Sequence, residues 1–277
     1  MTDLLVKLFV KDCKETNRIS VRTAYGILSS IVGILCNVIL FVVKFIIGLV
    51  LNSISVTADA FNNLSDAGSS IISFIGVKMA GKPADEDHPF GHGRIEYICA
   101  LVVAFLVIQV GFSFFTDSIK KIINPEQLNF QLVSVFILAL SIGVKLWLGA
   151  FNRKLGKRIN SQVMLAAAAD ALGDVFTTAA TIVSLFIFHF LGINVDGFVG
   201  LIVAAVVLWA GIGIARDTLA PLIGSPADPE LARKIVARVK SYPGIVGSHD
   251  LIIHNYGPGR SMASIHAEVP KDADIQD

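Results

Sequence analysis

YGILSSIVGILCNVILFVVKFIIGLVL, residues 25–51, carries a single charge, Lys44. A helix of that length, at 1.5 Å per residue, reaches roughly 40 Å and exceeds the ~30 Å hydrocarbon core of a bilayer. Five more stretches of the same character follow at about 54–80, 95–117, 130–150, 160–190 and 196–215. The first two are separated only by Leu51-Asn52-Ser53, which reads as a tight hairpin. The fourth is interrupted by Lys145, which at that place in the stretch reads as a lysine snorkelling to the nearby interface.

Composition agrees with lipid as the solvent. Of 277 residues 54% are apolar and only 16% charged, with a mean hydropathy of +0.69, whereas a soluble domain needs charge over its whole surface. Cys13, Cys36 and Cys99 lie far apart without a Cys-x-x-Cys pair, so neither a disulfide framework nor a zinc finger is expected. The first 22 residues carry Lys7, Lys11, Lys14, Arg18 and Arg22 but no cleavage pattern, so the first span is expected to act as its own insertion signal. Lys78, Lys82 and Arg94 fall between spans two and three, and Arg153, Lys154, Lys157 and Arg158 between four and five. The opposite side has only Lys120 and Lys121, so the positive-inside rule places both termini in the cytoplasm of a multi-pass cell (inner or plasma) membrane protein.

Beyond Arg216 the character changes. Pro221, Gly224, Pro226 and Pro229 suggest a linker, and 229–241 (PELARKIVARVKS) has the spacing of an amphipathic helix. Strand-like runs at 249–255 and 261–269 flank a Gly-Pro-Gly turn at 257–259. The expected organisation is an all-α polytopic bundle of six transmembrane helices over 1–220, then the N-terminal half of a cytoplasmic α+β (ferredoxin-like) domain over 221–277, truncated where a second helix is expected near Asp277.

Chemistry is concentrated in two spans. Span two holds Asn62-Asn63-Leu64-Ser65-Asp66 and span five Asp170-Ala171-Leu172-Gly173-Asp174. Residues four apart share a helical face, so each pair offers two oxygen donors in a row, and the rows can meet at mid-depth as a four-cornered cage. Each carboxylate at a helix centre costs about 2.5–3.5 kcal/mol, so three cost on the order of 8–10. Lys44 lies shallower, where it can pair with Asp59 or snorkel, and one lysine cannot balance three deeper acids. A divalent ion neutralises two of these charges, and protons can replace it when it leaves. The bland alternative has the aspartates capping polar gaps or facing water inside the bundle. Three carboxylates and an amide are hard donors that suit manganese or magnesium better than zinc, although affinity order alone favours zinc.

These features together resemble the cation diffusion facilitator family: six spans, the acidic pairs in spans two and five, DHPFGHGRIE at 87–96 and YPGIVGSHDL at 242–251. The resemblance implies a homodimeric transporter that exchanges cytoplasmic metal for protons by alternating access. Its zinc branch places His at the position of Asp170 and commonly an acid at that of Asn62, so this chain looks like the manganese-type branch. The resemblance further implies that Asp85, His88 and His92 fall where some members bind a second ion. Pro89 and Gly91 argue against a regular helix there, and a proton-titrating or solvated loop is the alternative. Arg94 matches a basic residue that pairs with an acid beyond span six in some members, but Gly224 holds that position here. His249 and His266 match cytoplasmic metal ligands of the zinc branch, or are surface histidines.

Asp59 is expected near the outer entrance, Asn37 and Gln109 to bond between helices, and Gly197, Gly200, Gly211 and Gly213 to allow close packing. The chain is therefore expected not to be an enzyme, to use no cofactor beyond transported Mn2+ (alternatively Zn2+, Fe2+, Co2+ or Cd2+) and H+, and to have no nucleic-acid partner. An intramembrane aspartyl protease is a remote alternative, since that chemistry needs two carboxyls sharing a proton and a Gly-x-Gly-Asp pattern that 171–174 lacks. A passive channel is another.

Overall fold

Backbone groups in hydrocarbon have no water to bond, so apolar runs of this length must close their hydrogen bonds within helices. The computed structural model of the chain describes residues 2–16, 18–50, 54–124, 132–224, 226 and 228–272. Its helices are α1 (Thr2–Phe9), α2 (Ile19–Val50), α3 (Ile54–Ala80), α4 (Ile95–Ile123), α5 (Leu132–Ile159), α6 (Gln162–Leu191), α7 (Asp196–Ile223) and α8 (Pro229–Lys240), followed by strands β1 (Gly247–Asn255) and β2 (Ser261–Glu268). The expected hairpin at 51–53 lies outside the described residues. Among the described residues five helices, α2 and α4 to α7, are long and apolar enough to cross a membrane. The 27-residue α3 has the length but not the hydropathy, because Asp59, Asn62, Asn63, Ser65 and Asp66 share it.

Two expectations need correction. The fourth stretch does not end near 150: α5 runs on to Ile159, because Phe151, Leu155 and Ile159 recur every four residues and are buried. Pro221 belongs to the last turn of α7 and not to a linker. The short α1, not foreseen, docks on the bundle through Val6 and Val10 while Lys154 reaches Asp3 at 2.7 Å.

The most extensive pairings are α2 with α3 and α4 with α7, and both are seams of small residues. A Cβ on Gly26 would meet Val77 at 2.4 Å, and one on Gly33 would meet the Ser70 hydroxyl at 2.9 Å. On the second seam Gly197 and Gly200 lie against Ser118, and Gly211 against Ile108. Backbones that approach this closely gain the dispersion contacts that hold helices together in lipid. Gly213 faces open space, Gln109 is exposed, and buried Asn37 has its Oδ1 without a partner among the described residues, so the packing and bonding expected of these three are not seen.

The core is densest at one end of the bundle. There Val21, Tyr25 and Leu28 of α2 meet Val77 of α3, Ala100 of α4, Phe151, Leu155 and Ile159 of α5, and Val163 and Met164 of α6. Polar anchors reinforce that end: Ser29 donates to Asn152 Oδ1 at 2.7 Å, and Tyr25 donates to the Cys13 carbonyl at 2.8 Å. Arg22, Glu96 and Ser161 form a buried cluster, with the Ser161 hydroxyl donating to Glu96. The opposite end, where α4 finishes and α7 begins, is open.

The hairpin β1–β2 is antiparallel with His249 opposite His266, and an irregularity falls between His249 and Ile252. It docks at the closed end. Arg94 donates to the Asn255 carbonyl through Nε at 3.1 Å and Nη2 at 3.0 Å, and its guanidinium lies over Tyr256. Gly257, at φ 122, approaches Gly93 so closely that a Cβ would sit 2.4 Å from its carbonyl carbon. The resemblance offered Arg94 no acid at Gly224; in this structure its partner is the hairpin.

Candidate ion site in the helix bundle

Asp66 stands near the middle of α3 and Asp174 in the first half of α6, and the packing of these helices turns both side chains toward the bundle interior. Between them is Lys145 of α5. Its Nζ lies 2.6 Å from Asp66 Oδ2 and 2.5 Å from Asp174 Oδ2, and its side chain is 4% exposed. The snorkelling expected of Lys145 is thus wrong. With α5 extending to Ile159 the residue falls at mid-helix, too deep for its stem to reach an interface. The three acids are thus not left to Lys44 alone, since Lys145 stands among them. Lys44 is buried and paired with Asp59 at 2.7 Å, closer to the open end.

Asn62 and Asp170 complete the predicted set less tightly. Asn62 is exposed on the wall of a cavity of ≈ 220 Å³ that Asp66, Asp174, Lys145, Ser141, Lys44 and Asp59 also line. Asp170, one turn before Asp174, is half-buried and close enough to interact electrostatically with Asp66, Asp174 and Lys145. Among the described residues the three aspartates do not converge as one compact carboxylate group, and the ammonium occupies the space between two of them. Phe114, Asp117 and Thr177 are shared with a second, wider cavity of ≈ 440 Å³ at the open end. Lys120 pairs there with Asp117 at 3.0 Å and Lys121 with Asp196 at 2.6 Å. A polar cleft therefore descends from the open end to Lys145, while apolar packing closes the other half.

Two histidine clusters lie outside the bundle interior. Asp85, His88 and His92 are brought together by turns, not by a helix, with their ligand atoms within 4.8 Å of one another. His92 Nδ1 faces the Pro83 carbonyl at 3.1 Å, which leaves Nε2 directed at Asp85 Oδ2 at 3.4 Å. The backbone N–H of His88 donates to Asp85 Oδ1 at 2.8 Å and holds its carboxyl below the usual range. His249 and His266 form the second cluster, joined by Asp250 within the same 4.8 Å. Asp250 is missing from the predicted set because strand neighbours point to opposite faces. Here the irregularity in β1, with Asp250 at φ 52, brings it round to the histidines. Glu268, 2.8 Å from His249 Nδ1, was also not foreseen.

Helices long and apolar enough to cross a membrane, with carboxylates lining a cleft among them, are what a membrane protein that handles cations requires. Residues 30–223 match the model of the cation efflux transmembrane domain, and the chain belongs to that family, the cation diffusion facilitators. It is 31% identical over 242 residues to an uncharacterized transporter of Methanocaldococcus jannaschii, covering 87% of this chain and 85% of that protein. It is 33% identical over 156 residues to the manganese efflux system protein MneS of Bacillus subtilis, covering 56% of this chain and 54% of that one. It is 25% identical over 217 residues to the cation-efflux pump FieF of Escherichia fergusonii, covering 78% and 72%. The chain is accordingly a cation efflux transporter of the membrane.

Proposed function

We propose that this transporter exports Mn2+ from the cytoplasm in exchange for protons, through a site formed by Asn62, Asp66, Asp170 and Asp174. The observation that carries the reading is the pairing of Asp66 and Asp174 across a buried cation. Two helices deliver carboxylates to one point that already holds a positive charge, at the foot of a polar cleft. Hard oxygen donors without imidazole or thiolate favour manganese, and the similarity to a manganese efflux protein supports the same ion. In this reading α3 is the sixth span, tolerated in lipid because its polar face is turned to the cleft. Both termini are cytoplasmic, the open end faces outward, and the segment after α7, with α8, β1 and β2, forms part of a cytoplasmic α+β domain in a homodimer. The histidine clusters at Asp85–His88–His92 and His249–Asp250–His266 are accessory sites on the cytoplasmic side.

Zinc is the second reading, favoured by those same clusters, since imidazole is a zinc donor. An aspartyl protease is disfavoured by chemistry as well as by family: Asp66 and Asp174 share an ammonium, where that mechanism needs a shared proton.

Flux into proteoliposomes tests the proposal. Mn2+ uptake is expected to exceed that of Zn2+ and to accelerate several-fold when the lumen is the more acidic side, so that protons run out as the metal enters. Flux indifferent to the gradient would make the protein a channel, and a preference for Zn2+ would favour the second reading.

A further inference from the structure

Neither the donor set nor the family likeness accounts for Lys145 at the centre of the bundle. Its ammonium makes contacts of 2.6 and 2.5 Å to one oxygen each of Asp66 and Asp174, from two different helices. Its side chain is 4% exposed. The neighbouring lysine of the cavity, Lys44, has its own partner in Asp59, so Lys145 takes the deeper acids by itself. Oxygens that ligate a divalent ion do so at about 2.0–2.6 Å. An ion held by these same two oxygens would compete with Nζ for them and repel it strongly at such short range. The cavity of ≈ 220 Å³ beside the site, lined by Ser141 one turn earlier on the same helix, gives the side chain room to withdraw.

We propose that Lys145 is a tethered occupant of the ion site. While the metal is away, the ammonium holds the α3 and α6 carboxylates together and neutralises part of their charge, so the empty site survives in lipid. An arriving divalent ion displaces it into the cavity, and its return helps expel the ion. Metal affinity is thereby set by competition with a residue of the chain itself, which keeps binding weak enough for release. The inference rests on the reading of Asp66 and Asp174 as ligands. It excludes a static ion pair past which the metal binds.

The decisive experiment labels the amines of the full-length wild-type protein in detergent with a small acylating reagent, with and without Mn2+, and locates the adducts by mass spectrometry. Labelling at Lys145 is expected to rise several-fold with Mn2+ while Lys44 stays constant. Unchanged labelling at Lys145 under conditions where Mn2+ demonstrably binds overturns displacement. Calorimetry provides the second arm. If the state with the lysine withdrawn is ~10% populated or less, Lys145→Gln tightens Mn2+ binding by about tenfold or more, and Lys145→Arg stays near wild type. Equal or weaker binding by a folded Lys145→Gln protein contradicts the proposal, and should that variant not fold, the wild-type labelling decides alone. Wild type that binds neither Mn2+ nor Zn2+ refutes the proposed function itself, and this inference with it, whereas binding without displacement refutes only the inference.

Discussion

At the scale of single residues, selectivity is a matter of which donors face the ion. Asn62 and Asp170 differ from the zinc-type pattern implied by the family likeness, and both lie one turn from the aspartates that Lys145 bridges. Asn62→Asp together with Asp170→His is expected to shift flux preference toward Zn2+, measured as the ratio of Zn2+ to Mn2+ transport in one preparation. An unchanged ratio would remove the donor set as the source of selectivity. The acids were legible in the sequence because carboxylates in apolar stretches are rare and costly. Lys145 reads as interfacial from sequence because the apolar stretch around it ends near 150, although the helix itself runs on to Ile159. The basic run Arg153, Lys154, Lys157 and Arg158 masked the buried repeat of Phe151, Leu155 and Ile159 on the other face of the same helix. Asp250 escaped for a different reason, since a backbone irregularity that reverses a strand face has no local composition signature.

At the scale of elements, helix existence and order followed from apolar length, while boundaries drifted wherever a helix left the lipid and kept one apolar face. That is why α4, α5 and α7 all outrun the stretches read for them. The docking of β1–β2 was not legible, because it depends on two glycines far apart in sequence meeting at van der Waals contact. Gly257→Ala tests it. The new methyl would sit 2.4 Å from Gly93 in a backbone conformation, φ 122, that alanine rarely adopts. Overpacking of this kind costs about 1–3 kcal/mol. Faster hydrogen exchange is expected in strands Gly247–Asn255 and Ser261–Glu268, with α2 to α7 unchanged; exchange unaltered in the strands would mean the contact does not hold the hairpin.

For the molecule as a whole, apolar packing closes one half of the bundle and a polar cleft opens the other, and the buried charges sit at the boundary. Under the proposed exchange of metal for protons, the ion must be held by the acids of α3 and α6. Equilibrium binding of Mn2+ to the purified full-length protein, wild type beside Asp174→Ala, measures it most directly. Saturable binding is expected in wild type, with at least a tenfold loss, about 1.4 kcal/mol, in a folded Asp174→Ala protein. Equal affinity in the two would contradict it.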